Sequence, residues 1–209
     1  MGVGNTILRD DGAGVYAVRR LVELLLARGA TPVPPGPHAA HLNADTSLTP
    51  AESAGRATPD TQQPQVTSYV TALALPDGRQ VHLAEACTGG LGLVEIMLGY
   101  SHAVVIDAWP GVPPGQFTVL SIADLGHAPA PASGHQIGLP AAMRAADRLG
   151  LPLPDHVELW AIGVRDVSLG ETCTPAVRDA VEEVACRLTD ALTKQHHRGQ
   201  TRQDEPATG

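Results

Sequence analysis

Aromatic side chains are scarce in this chain: one Phe, two Trp and three Tyr in 209 residues. Its core must therefore be built from Val, Leu, Ile and Ala rather than around a few large rings. Cysteine is equally sparse. Cys87, Cys173 and Cys186 lie far apart and form no C-x-x-C pair, which argues against a disulfide framework or a structural zinc site and for reduced thiols. Basic charge is short as well, with 14 Lys and Arg against 22 Asp and Glu and a formal net charge of −8. Phosphate neutralisation needs a basic face, so a general nucleic-acid or anionic-membrane binder is excluded. No apolar run approaches the ~20 residues that span a bilayer. No basic stretch followed by an apolar one opens the chain, so no signal peptide is expected. A cytoplasmic protein is the expectation.

What is present is the patterning of an α/β domain. Hydrophobic residues make up 43% and charged residues 17%, which is a globular balance. Val15, Val18, Val22, Leu25 and Leu26 recur at helical spacing and predict a helix from Val15 to Arg28, stopped at Gly29. Residues 30–65 are rich in Pro, Ala and Thr without periodicity and read as a surface insertion. Order is expected again from Val66. Two alternating runs around Asp77 and Gly78 signal a hairpin.

Beyond the hairpin, "CTGGLGLVEIMLGY" is a glycine-rich turn entering a short helix, and "HAVVIDA" is an apolar run ending in Asp107. Such a run suits a strand buried on both faces. "GQFTVLSI" and "HVELWAIGV" read as strands and "LPAAMRAADRLG" as a helix. A last helix starts at Thr174 and Pro175 and carries a stripe of Val177, Val181, Val184, Leu188 and Leu192. Residues 194–209 are polar and aperiodic and read as a disordered tail. The expected architecture is a single domain over residues 1–193, three-layer αβα, with a mostly parallel twisted sheet covered by helices on both faces. Its first strand is expected to be missing or truncated, because only Met1 precedes the turn-like "GVGN".

In such sheets, functional side chains gather at the carboxyl ends of strands. Asp10 and Asp11, in "RDDGAG", follow the first βα turn, and Asp107 closes the most apolar strand. An Asp before a helix is ordinarily an N-cap. One suffices for that, and a second crowds like charge unless a cation is bound or one side chain points away. Asp107, too, has a plain reading as a turn-forming residue. Among nine histidines, His135 in "ASGHQIGLP" stands in a loop leading to a helix, but position alone does not separate it from His127. "TGGLG", from Thr88 to Gly92, lacks the Lys and Ser/Thr of a P-loop and the full G-x-G-x-x-G. No G-x-S-x-G elbow occurs, so nucleophilic hydrolysis is not supported.

Together these segments resemble the hydrogenase maturation proteases, the endopeptidases that trim the C-terminus of the nickel-iron hydrogenase large subunit after nickel insertion. The family signature G-x-G-N-x-L/I-x-x-D-[DE]-G-x-G is similar to "GVGNTILRDDGAG", Gly2 to Gly14, with a one-position slide of the aliphatic pair. "VVIDA" resembles the family's strand ending in D-A, and "SGHQIGL", Ser133 to Leu139, its S-x-H-Q-x-G-L segment. "PPGQFTVL", "AIGVRD" and "CTPAVRDAV" resemble three further family stretches. The likeness covers residues 2–29 and about 81–192.

The resemblance implies a metal site of Asp11, Asp107 and His135, which are also its catalytic residues, with Asp10 left as a cap or supporting group. Two carboxylates and one imidazole suit Ni²⁺ or Zn²⁺ with open positions. It further implies that nickel arrives within the substrate, a hydrogenase large-subunit precursor, with Zn²⁺ or Cd²⁺ as surrogates, and that the protein acts as a monomer. Two routes to hydrolysis stay open: a metal-polarised carbonyl, or a metal-activated water with a carboxylate as base. The sequence departs from the family in "EACTGG", where Glu85 stands for Asp and Ala86 and Cys87 for two glycines. Two rival readings are a chaperone-like homologue that grips the precursor without cutting it and a nucleotide-binding α/β protein using "TGGLG".

Overall fold

The computed structural model describes residues 1–36, 68–121 and 138–194. Among them, seven strands form one sheet: β1 (Gly2–Val3), β2 (Thr31–Val33), β3 (Ser68–Ala74), β4 (Gln80–Ala86), β5 (His102–Trp109), β6 (Phe117–Ser121) and β7 (His156–Gly163). The order across the sheet is β2-β3-β4-β1-β5-β7-β6. Four helices accompany it: α1 (Ala13–Ala27), α2 (Leu91–Met97), α3 (Leu139–Arg148) and α4 (Pro175–Lys194).

The three-layer expectation holds. Val18, Leu21 and Leu25 of α1 and Val177, Val184 and Leu188 of α4 pack with Ile106 and Ile162 on one face. Leu93, Val94 and Met97 of α2 and Leu139, Ala142 and Ala146 of α3 pack with Val105 and Leu159 on the other. Neighbouring residues of β5 thus feed opposite cores, as alternation along a strand requires, and this is why "HAVVIDA" is apolar without a break.

The expectation of a mostly parallel sheet is borne out in part. β4, β1, β5 and β7 run parallel in the centre. On one flank β3 pairs antiparallel with β4 and β2 with β3, and on the other β6 pairs antiparallel with β7. The hairpin explains one flank: Ala74 faces Gln80 across a turn in which Leu75 and Gly78 exchange a hydrogen bond of 2.9 Å. A short connection of this kind can only join antiparallel strands.

The opening strand is truncated rather than missing. β1 is two residues long and lies between β4 and β5, with Gly2 opposite both Glu85 and Ile106. The Met1 amine donates to the Val104 carbonyl at 2.5 Å, and the Ile106 N–H to the Met1 carbonyl at 2.8 Å.

Helix α1 ends as its sequence predicts. The N–H of Gly29 reaches Leu26 O and that of Ala30 reaches Leu25 O, the paired bonds of a Schellman stop. Its buried stripe includes Leu21, whereas Leu26 is exposed. The segment read as an insertion begins differently from that reading: Ala30 is buried and Thr31–Val33 is strand β2, paired with β3. The remainder of that reading, residues 37–67, and the tail at 195–209 lie outside the described residues. No described helix is long and apolar enough to cross a membrane.

Candidate active site

The carboxyl ends of β1, β4 and β5 carry the acidic residues singled out above. After β1 the chain makes a loop and a single 3-10 turn, Arg9–Gly12, before entering α1. Two glycines allow this return. A Cβ on Gly4 would stand 1.9 Å from Asp11 O, and one on Gly14 would stand 2.2 Å from Ile106 O and 2.5 Å from Val3 O. Any side chain there would push the turn off the sheet. The glycine spacing of the opening motif therefore brings Asp11 against the strand ends, where the turn packs on β5.

Asp10 and Asp11 have different surroundings. Asp10 is completely buried and accepts four hydrogen bonds: from the N–H groups of Arg165 at 3.3 Å, Asp166 at 3.1 Å and Thr174 at 2.6 Å, and from the Thr174 hydroxyl at 3.1 Å. It does not cap α1, whose N-cap is Gly12 and has no side-chain capping bond. The capping reading is thus corrected: Asp10 instead secures the loop between β7 and α4. Further bonds join the same two segments, with Arg9 N–H on Gly170 O at 2.8 Å and Gly170 N–H on Ile7 O at 2.9 Å. Tyr16 adds its hydroxyl to Glu171 O at 2.5 Å.

Asp11 is also buried, and its Oδ2 accepts the Asn5 N–H at 2.9 Å. Among the described residues this one backbone donor holds the carboxylate, while the neighbouring acid carries the loop. Asp107 is buried within β5, two residues before its end at Trp109, and its Oδ1 accepts the Ala108 N–H at 2.7 Å. By alternation it shares the face of Val105 and Trp109, under α2 and α3. It does not close the strand, as its place in "VVIDA" had suggested. Both acids lie at the same sheet edge, because Gly2 of β1 is in register with Ile106.

Cys87 follows β4 at this edge, just after Ala86, whose carbonyl accepts the Gly4 N–H at 3.0 Å. Burial, and then the negative charge of Asp11, push its thiol above the usual range. It remains a thiol at neutral pH and is a poor nucleophile. Glu85 is not part of the site. It forms a two-pronged pair with Arg19 of α1, at 3.0 and 2.7 Å. The "TGGLG" turn is closed by its own Thr88, whose Oγ1 occupies the space a Cβ on Gly92 would need, and it opens only the short α2.

His135 lies outside the described residues, as does His127. Among the described residues, no group of three His, Cys, Asp or Glu side chains comes together to hold a metal ion. The chain re-enters at Gly138, where a Cβ would stand 3.2 Å from Gly90 Cα, in the turn after β4. Sequence reasoning singled out both carboxylates, and Cys87 as a departure from the family, but not Asn5 or the support that the Arg165–Thr174 loop gives Asp10. Asn5 was visible within "GVGN", whereas nothing local marks a loop more than 150 positions away as the support of Asp10.

No family model and no curated protein sequence matches the chain. Solved structures do. The hydrogenase maturating endopeptidase HybD from E. coli superposes with a TM-score of 0.52 at 20% identity, over 91% of this chain and 88% of that one. An endopeptidase from Escherichia coli solved in solution gives a TM-score of 0.54 at 20% identity, again over 91% and 88%. The chain shares the α/β fold of these two endopeptidases over 91% of its length.

Proposed function

We propose that this protein is an endopeptidase that removes the C-terminal extension of a nickel-iron hydrogenase large-subunit precursor once nickel has been inserted, with Asp11, Asp107 and His135 as the residues that meet the nickel carried by the substrate. The observation that carries the reading is the burial of two carboxylates, 96 positions apart in sequence, at the carboxyl edge of neighbouring parallel strands. Burying ionisable groups is costly unless they are compensated. Two carboxylates and an imidazole, here Asp11, Asp107 and His135, form a donor set suited to receive a cation delivered by a substrate.

Nickel here belongs to the substrate. The protein's part is to hold carboxylate and imidazole donors where a completed nickel site can engage them, so that cleavage follows metal insertion. The likeness in fold to the two endopeptidases supports hydrolysis of a peptide bond as the reaction class. The chain acts as a monomer in the cytoplasm.

Incubation with nickel-loaded and nickel-free precursor tests the reading by mass spectrometry. Loss of a C-terminal peptide only from the nickel-loaded form is the expected result. Co-elution with the precursor and no cleavage establishes instead the non-cutting, chaperone-like role.

A further inference from the structure

At the opposite end of the sheet, the first residues of β5 and β7 are both histidine. His102 and His156 are register partners on adjacent parallel strands. Their side chains therefore leave the same face of the sheet. The ring centroids are 4.8 Å apart with the planes tilted by 34°, and both residues are exposed. His102 Nδ1 is 3.3 Å from the Ser101 hydroxyl, which leaves Nε2 as its outward nitrogen. No hydrogen bond occupies the His156 ring among the described residues.

We propose that His102 and His156 form a surface chelate for a borderline divalent transition-metal ion such as Ni²⁺ or Zn²⁺, distinct from the Asp11 and Asp107 edge. The geometry carries the inference. An ion bound at ~2.0–2.1 Å from an imidazole nitrogen lies about 3.1 Å from that ring's centroid. Two imidazoles at ligand angles of roughly 90–110° on one ion then have centroids about 4.4–5.1 Å apart. The observed 4.8 Å falls within that window. Exposed rings turn readily about χ2, whose well is broad, so both nitrogens reach a common ion without moving the strands. The Ser101 contact has the form of a supporting bond that orients a ligating imidazole.

The electrostatic setting favours a cation. Asp155 precedes His156, and Glu158 stands two residues further along the same face of β7, held by the Trp160 Nε1–H at 2.9 Å. The formal net charge of the chain is −8. With only two protein ligands the remaining positions go to water, so the site is an exchanging one rather than a closed structural centre.

Calorimetric titration of the full chain with Ni²⁺, carried out in an Asp11→Ala background, separates this site from the proposed substrate edge. One ion with half-saturation between about one and one hundred micromolar is expected, weakened at least tenfold in His102→Ala and equally in His156→Ala. Both histidines are exposed, so the variants keep the fold, which circular dichroism checks. With Zn²⁺, the ring nitrogen signals of His102 and His156 shift together. Unchanged affinity in either variant, or a shift confined to one ring, overturns the chelate. Neither result bears on precursor cleavage, which rests on other residues.

Discussion

The Asp10 carboxylate accepts both the backbone N–H of Thr174, at 2.6 Å, and its hydroxyl, at 3.1 Å, joining the turn before α1 to the start of α4 across 164 positions of sequence. This buried side chain adds to the apolar packing of α1 against α4 on one face of the sheet. The adjacent Asp11 is left to face the strand ends. The two neighbouring acids thus have different surroundings, and they are expected to respond differently to substitution.

Asp10→Ala is expected to be the more damaging change to stability. It strands three backbone N–H groups and a hydroxyl in a buried place, and hydrogen bonds to a charged acceptor contribute roughly 1.5–3 kcal/mol each with incomplete additivity. A loss of about 3–5 kcal/mol in urea unfolding is expected. A loss below about 1 kcal/mol would remove Asp10 from its structural role.

Asp11→Ala is expected to show the reverse pattern. Among the described residues only the Asn5 N–H loses a partner, so stability is expected to fall by about 1–2 kcal/mol, while processing of nickel-loaded precursor drops below detection. Wild-type turnover by this variant would rule out the proposed site. His135→Ala is expected to match Asp11→Ala in turnover.

Gly14→Ala tests the close approach of α1 to the sheet. Its Cβ would stand 2.2 Å from Ile106 O, so the helix must lift and carry Asp11 away from β5. Destabilisation of at least about 3 kcal/mol, or failure to fold, is expected. Gly36→Ala, where a Cβ meets nothing within 4 Å among the described residues, serves as the control and is expected to leave the unfolding midpoint unchanged.

Thiol labelling reports on the same edge. Cys173 is buried, and burial followed by the charge of Asp10 pushes its thiol up to about 12. Iodoacetamide at pH 8 is expected to modify Cys87 and Cys186, both exposed, and to spare Cys173 until the protein unfolds. The Cys87 thiol is raised by burial and by Asp11. Asp11→Asn removes that charge and lowers the Cys87 pKa, so more thiolate is present at pH 8 and labelling accelerates. An unchanged rate at Cys87, measured by peptide mass spectrometry, would place Asp11 away from this thiol.

Much of this protein is fixed locally. Apolar spacing in Val15, Val18 and Leu25 is enough to define α1, because a 3.6-residue period leaves one face to bury. Asp77 and Gly78 define the hairpin, because a tight turn demands residues that tolerate its backbone angles. The G-x-G spacing and the acidic pair are legible in the opening motif, and Asp107 stands out as the polar residue in an apolar strand. Only the tertiary structure decided the rest. Strand direction is a property of pairs, so the antiparallel flanks β2, β3 and β6 could not be told from parallel strands by their alternation alone. The two-residue β1 is supported in the sheet by the bonds that the preceding Met1 makes to Val104 and Ile106 of β5 rather than by its own length. The division between Asp10 and Asp11 depends on donors at Arg165, Asp166 and Thr174. A carboxylate's role follows from the groups that surround it, and here most of them arrive from a distant part of the chain.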